Sequence, residues 1–135
     1  GAGARGGGGA AGALQRGDAA TALEWSRAAL ERQPSATAWL LVARAERGLG
    51  AWRAAADAFR CAYDLEPDAH AAIEEAKLAE HRLRDTERAR EATQRALGAC
   101  VPPARRPDDG ARLARLRGQL AHRLLRLEGK RSLQG

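Results

Sequence analysis

Histidines, cysteines and paired carboxylates are the side chains in this 135-residue chain that could support metal or acid–base chemistry. His70, His81 and His122 form no H-E-x-x-H pair, and no cysteine stands at ligand spacing from them. Glu74 and Glu75 are adjacent, but neighbours on a helix point about 100° apart, which is unsuitable for a general acid–base pair. We therefore expect neither a metal site nor acid–base catalysis.

Two other catalytic patterns are also missing. The glycines at 6–9 are not a phosphate-binding loop, because no strand precedes them and no Gly-Lys-Ser/Thr follows. Ser26, Ser35 and Ser132 lack the sequence context of a nucleophile elbow. The sequence predicts a protein that is not an enzyme and has no cofactor.

The elements that must position any site are helices. Val and Ile together number three and aromatic residues five, whereas Ala, Leu, Arg and Glu recur throughout. Sheets favour β-branched and aromatic residues, so the composition predicts an all-α fold. The length is near that of a single domain, which argues against an enzyme with a cleft between two lobes.

Charge and cysteine content restrict the partners and the compartment. Residues 1–101 carry 14 cationic and 14 acidic residues, whereas residues 102–135 carry 9 and 3. A neutral body is not typical of a nucleic-acid-binding domain, so nucleic acid could bind only through the basic tail. Cys61 and Cys100 are too few for a disulfide framework and favour a reducing compartment, the cytoplasm or nucleus. No apolar run is long enough for a transmembrane segment.

Three segments align at intervals of 33 and 34 residues. They are Gly17-Asp18-x3-Ala22, Gly50-Ala51-x3-Ala55 and Arg84-Asp85-x3-Ala89. Pro34 and Pro67 close the first two units. A turn, a small residue for close helix approach and a terminal proline together predict a pair of antiparallel helices in each unit.

The second unit resembles the tetratricopeptide repeat (TPR), whose 34-residue pattern is W-x2-L-G-x2-Y, A-x3-F, P. The matching positions are Trp39, Val42, Ala43, Gly50, Ala55, Phe59, Ala62 and Pro67, while Glu46 stands at the Tyr position. The third unit keeps Ile73, Ala76, Leu83, Ala89, Ala96 and Leu97, with Thr93 in place of Phe. The resemblance implies a right-handed TPR-like solenoid of helical hairpins with a C-terminal capping helix.

The organisation that follows has five parts. We expect a Gly-rich disordered or frayed segment at 1–12, repeats at 13–98, a Pro-rich loop at 99–110, an amphipathic helix at 111–128 and a tail at 129–135. The repeats comprise a half repeat at 13–35 and full repeats at 36–68 and 69–98. Leucines at 113, 116, 120, 124 and 127 predict the amphipathic helix, which would cap the last repeat.

The TPR resemblance implies a non-catalytic protein–protein interaction module, a scaffold or adaptor. Its groove would hold a peptide segment or helix of a partner, of unknown identity, with one or two apolar side chains flanked by charges. The residues expected to line it are Thr37, Leu40, Leu41, Arg44, Arg47, Glu74, Glu75, Leu78, His81 and Arg82.

Two alternatives stay open. In the first, the basic C-terminal helix binds RNA or an anionic surface, with the repeats as a spacer. In the second, the chain is an adaptor domain of a larger protein, since it does not begin with Met. Because about three repeats give a small stability margin, self-association is also expected to be possible.

Chaperone tails are not the expected ligand. Chaperone-binding TPR proteins clamp a C-terminal carboxylate with Lys, Asn and Arg. The corresponding positions here are Ala4, Gly8, Leu41, Ala71 and Glu75, and none of them matches. The tryptophans have different expected roles: the repeat register predicts that Trp39 and Trp52 lie in the core and that Trp25 is exposed.

Overall fold

The computed structural model describes residues 17–100 and 109–134, with side chains described as far as residue 130. No strand occurs in these ranges, so the predicted all-α class is confirmed. The segment predicted at 1–12 and most of the loop predicted at 99–110 lie outside the described residues. Six helices follow in order: α1 (Ala19–Arg32), α2 (Ala36–Gly48), α3 (Trp52–Leu65), α4 (Ala69–His81), α5 (Thr86–Ala99) and α6 (Asp109–Gln134).

Helix α6 is longer at both ends than the predicted 111–128. None of the described helices combines the length and the hydropathy that a bilayer crossing requires.

Side chains that accept hydrogen bonds from backbone N–H groups fix the starts of four helices. Asp18, Ser35 and Asp85 each accept from the N–H three residues ahead, at 3.0–3.1 Å. Asp68 accepts from the N–H of His70 at 3.4 Å. Such caps satisfy backbone donors that have no partner within the helix, so these four positions determine where helices begin.

The turn before each second helix of a repeat has the same backbone conformation. Gly17, Gly50 and Arg84 have φ of 81°, 76° and 55°, and each precedes the N-cap of its helix. These are the three positions that the sequence alignment equates. Arg84 lacks the conformational freedom of glycine, so the third turn carries a backbone cost of about 1–2 kcal/mol.

The first structural unit spans Gly1–Pro67 and contains α1, α2 and α3. Helix α2 packs against both α1 and α3. A buried cluster of Ala22 and Ala45, with Leu23 at its edge, joins α1 to α2. At Gly48 an added Cβ would lie 3.0 Å from the Cβ of Ala19, so small residues permit this close approach.

The second unit spans Asp68–Gly135 and contains α4, α5 and α6. Helix α5 packs against both α4 and α6. Leu127 of α6 is fully buried in a cluster with Ala79 and Ala89, and Leu120 is also buried. The leucine face of α6 therefore packs against the other helices of this unit, as expected of an amphipathic helix.

One repeat position shows how closely the three second helices correspond. Ser26, Phe59 and Thr93 occupy this position, and all three are fully buried. The hydroxyls of Ser26 and Thr93 donate to the carbonyl four residues earlier, Ala22 or Ala89, both at 2.7 Å. The hydroxyls are thus satisfied within their own helices, which allows a polar residue where the second unit has Phe.

Candidate partner-binding surface

Five of the predicted partner-binding residues lie on one side of α2. Their spacing of three and four residues places them on one face, away from the positions that α2 buries. Thr37 and Arg44 are exposed, whereas Leu40, Leu41 and Arg47 are half-buried. The Arg47 guanidinium lies 5.6 Å from the centroid of the Phe59 ring, in cation–π geometry. This α2 face combines apolar surface with positive charge.

The predicted residues of α4 are distributed differently. His81 and Arg82 are exposed, and Glu74 is half-buried with its carboxylate 3.6 Å from Lys77. Leu78 is 5% exposed and Glu75 is 1% exposed. These two residues are a correction to the predicted surface, because a partner could not reach them.

Glu75 is the centre of a buried ion cluster that the sequence did not predict, the Glu75 cluster, which it forms with Arg88 and Arg95. Its Oε2 accepts from Nε of Arg88 and its Oε1 accepts from Nη2 of Arg95, both at 2.9 Å. Both arginines lie on α5. Helices α2 and α4 begin at Ala36 and Ala69, 33 residues apart, so residue 75 has the same place in its helix as the buried Val42. The 34-residue interval that aligns Gly50 with Arg84 equates residue 75 with Leu41 instead, so the sequence alignment did not predict its burial. The two arginines supply the charge that a buried carboxylate needs.

A second ion cluster joins α4 to α6. Glu80 accepts hydrogen bonds from Arg123 at 2.9 Å, from Lys130 at 3.1 Å, and from both terminal nitrogens of Arg126, one of them at 3.1 Å. We call these four residues the Glu80 cluster. Burial alone would raise the pKa of Glu80, but the bonds from Arg126 and Lys130 lower the pKa to about 2. The carboxylate therefore stays ionised at neutral pH.

Another buried carboxylate lies in the first unit. Glu46 is buried on α2, and burial raises its pKa. The positive charge of Arg27 opposes this change in pKa, and the negative charge of Asp57 adds to it. Glu46 stands at the TPR tyrosine position, so its presence in the sequence already marked a departure there.

Both described cysteines are free thiols in surroundings that disfavour the thiolate. Cys61 is half-buried and Cys100 is buried, and burial raises the pKa of both thiols, which keeps them protonated near neutral pH. Among the residues that the structure describes, no group of three or more His, Cys, Asp or Glu side chains could hold a metal ion.

The three tryptophans all have intermediate burial. Trp39 and Trp52, predicted to lie in the core, and Trp25, predicted to be exposed, do not differ in this respect. Position in the repeat therefore does not predict which of the three tryptophans is more exposed.

Comparison with known proteins found no relative of this chain. The chain matches no family model and no curated protein sequence.

Proposed function

We propose that this chain is a non-catalytic interaction module of the TPR type, a right-handed helical solenoid that binds a peptide segment or helix of a protein partner. The observation that carries the proposal is the recurrence of one local geometry at the predicted period. The positive-φ turns at 17, 50 and 84 and the buried positions at 26, 59 and 93 recur in register. Repeat proteins bind through extended surfaces formed by equivalent helices.

The α2 face defined above is the proposed binding surface. It has two half-buried leucines beside one exposed arginine, Arg44, and one partly covered arginine, Arg47. The only acidic residue of α2 is Glu46, which is buried. We expect a partner segment that places an apolar side chain against Leu40 and Leu41 and a carboxylate near Arg44.

The test compares two variants with the same change in charge. Arg44→Glu reverses the charge of the α2 face, whereas Arg53→Glu reverses that of an exposed residue on α3. Proteins captured by the wild-type chain should be lost with Arg44→Glu, at least about tenfold, and retained with Arg53→Glu. Leu41→Glu should have the same effect as Arg44→Glu, with helicity checked by circular dichroism. Equal capture by all forms would reject this surface.

Binding of RNA or an anionic surface along the basic helix has less support. Arg123, Arg126 and Lys130 are engaged by Glu80, and Nε of Arg117 donates to the carbonyl of Cys100 at 2.9 Å. A helix that binds an extended polyanion needs cations spread along its length, whereas three of these cations converge on one carboxylate. If capture of RNA falls steeply between about 50 and 200 mM salt, this second function is favoured instead.

A further inference from the structure

The Glu80 cluster contains more positive than negative charge. Three cationic side chains meet one carboxylate, and the low pKa of Glu80 keeps that carboxylate ionised, so the cluster has a net charge of +2. Nε2 of His81 also lies 3.5 Å from Oε1 of Glu80, and it adds a further positive charge when protonated. Such an excess of positive charge attracts anions.

The excess charge is accessible from solvent. The Glu80 side chain is only 2% exposed, whereas Arg126 is 39% exposed and Lys130 is 47% exposed. The carboxylate thus lies beneath the cationic groups and holds them close together. Each guanidinium or ammonium group has several donors, and those that do not reach Glu80 remain available for another acceptor.

The position of α6 fixes this arrangement. Leu127 is fully buried against Ala79 and Ala89, which sets the rotation of α6 about its axis. Residues 123, 126 and 130 follow one another at spacings of three and four, so they lie on one face of α6 and all three reach Glu80 on α4. The cationic groups are therefore positioned before any ligand arrives.

From this geometry we infer that the Glu80 cluster is a binding site for a phosphate dianion. Arg126 and Lys130 would bind its oxygens directly, and Arg123 and Glu80 would hold them in place. Arginine and lysine together suit phosphate, because guanidinium gives paired hydrogen bonds and ammonium adds a point charge.

A compact anion fits the site better than a nucleic-acid strand. The cations converge on one carboxylate instead of following a line, and Arg117 is directed to the carbonyl of Cys100. Arg112 and Arg115 lie at least eight residues before Arg123, or about 12 Å along the helix. The Glu75 cluster offers a contrast: both of its arginine side chains are only 19% exposed, which leaves little cationic surface for a ligand.

The experiment uses the full ¹⁵N-labelled chain and two double variants that each lose two positive charges. Arg126→Gln/Lys130→Gln alters the site, and Arg112→Gln/Arg115→Gln alters exposed cations of the same helix outside it. NMR shifts of arginine Nε–H groups and α6 amides are followed during titration with inorganic phosphate. Parallel titrations use a phosphoserine peptide, its unphosphorylated form and a single-stranded RNA oligonucleotide.

We expect saturable shifts at Arg123, Arg126 and His81, with affinity about tenfold weaker in the site variant and within about twofold of wild type in the control. If the phosphoserine peptide binds more tightly than inorganic phosphate and the unphosphorylated peptide does not bind, the source is a phosphorylated protein. Equal affinity for both phosphate probes supports the site with free phosphate as the source.

Three results would overturn the inference: no saturable shift, equal weakening by both double variants, or RNA binding that the control variant weakens as much as the site variant. Lys130→Gln alone guards against loosening of α6, because Arg123 and Arg126 still hold Glu80 in that variant. It should weaken phosphate binding about threefold without lowering the melting temperature of the helices. An unchanged affinity in this variant would also contradict the site.

Discussion

The α2–α3 and α4–α5 hairpins share a repeat frame but are stabilised by different chemistry. Residue 42 is Val in the first and its counterpart, residue 75, is Glu in the second, yet both are buried. Phe59 likewise corresponds to Thr93, and both are fully buried. The comparison teaches that the position in the repeat determines whether a residue is buried. The residue type then decides whether apolar packing or hydrogen bonding stabilises the buried side chain.

A buried glutamate in the α4–α5 hairpin requires changes at several other positions. Glu75 is paired with Arg88 and Arg95, whose counterparts in the preceding repeat are Ala54 and Cys61. A lone carboxylate at a buried position would be costly, so the two arginines must accompany it. The second hairpin therefore depends on cooperation among residues that are far apart in sequence.

The largest expected effect is on the α2–α3 hairpin, which is stabilised by apolar packing. Phe59→Ala should lower the free energy of unfolding by about 3–5 kcal/mol, because it removes a fully buried ring. Thr93→Val should cost below about 1 kcal/mol, since the hydroxyl is bonded only within its own helix. Tryptophan fluorescence in urea reports the first variant, as all three tryptophans precede residue 68, and circular dichroism reports the second. Similar losses in both variants would contradict the proposed difference.

The next prediction concerns the α4–α5 hairpin, in which the residues of the Glu75 cluster are replaced by their counterparts from the preceding repeat. Glu75→Val should cost about 3 kcal/mol, because it leaves two largely buried arginines without their carboxylate. Adding Arg88→Ala and Arg95→Cys installs the residues of the preceding repeat and should recover most of that loss. Urea unfolding followed by circular dichroism measures both variants, with the exposed Glu91→Val as control. A triple variant no more stable than the single one would show that the hairpins are not interchangeable.

Acid should weaken the second unit. The pKa of Glu80 falls from its ordinary 4.5 to about 2 on folding, so its stabilisation is complete above pH 4.5 and is lost as the pH falls toward 2. The full contribution is about 3 kcal/mol. Amide exchange of α4 and α5 between pH 2 and 5 should show this loss. Glu80→Gln should flatten that profile, and an unaltered profile would refute the assignment.

The pH dependence of the first unit has the opposite sign. Because folding raises the pKa of Glu46, the unfolded chain releases its proton first, and stability falls as the pH rises from 4.5 through the raised pKa. Glu46→Gln should remove this loss and increase stability at pH 7 by up to about 1 kcal/mol. Tryptophan fluorescence in urea at pH 4 and pH 7 measures the difference. A decrease in stability at pH 7 would mean that the charged carboxylate is favourable there.

The smallest effects concern the turns. Arg84→Gly should stabilise the chain by less than about 1 kcal/mol, because glycine accepts the positive φ but has more entropy when unfolded. Gly50→Ala should cost about 1 kcal/mol through φ alone, since an added Cβ would meet Trp52 at an ordinary 3.8 Å. Thermal melting of the two variants should move in opposite directions. A shift in the same direction would indicate that the turns are not equivalent.

Much of the local structure was readable from the sequence. Helix periodicity, prolines and capping residues act over a few positions, so the hairpins and the leucine face of α6 could be predicted. Of the residues predicted to bind a partner, Thr37 and Arg44 are exposed, whereas Glu75 and Leu78 are buried. The TPR resemblance assigned Glu75 to the binding groove, and its two arginine partners on α5 explain how its carboxylate is buried instead.

The order of amino acids by itself determined the helices, their turns and the recurrence of buried positions, because these depend on backbone preferences and spacing within one repeat. Tertiary structure alone decided the Glu80 cluster, whose partners lie 43 to 50 residues apart in the chain. The physical reason is that a buried carboxylate gains its low pKa from cations brought to it by the packing of α6, and no local pattern specifies which cations arrive.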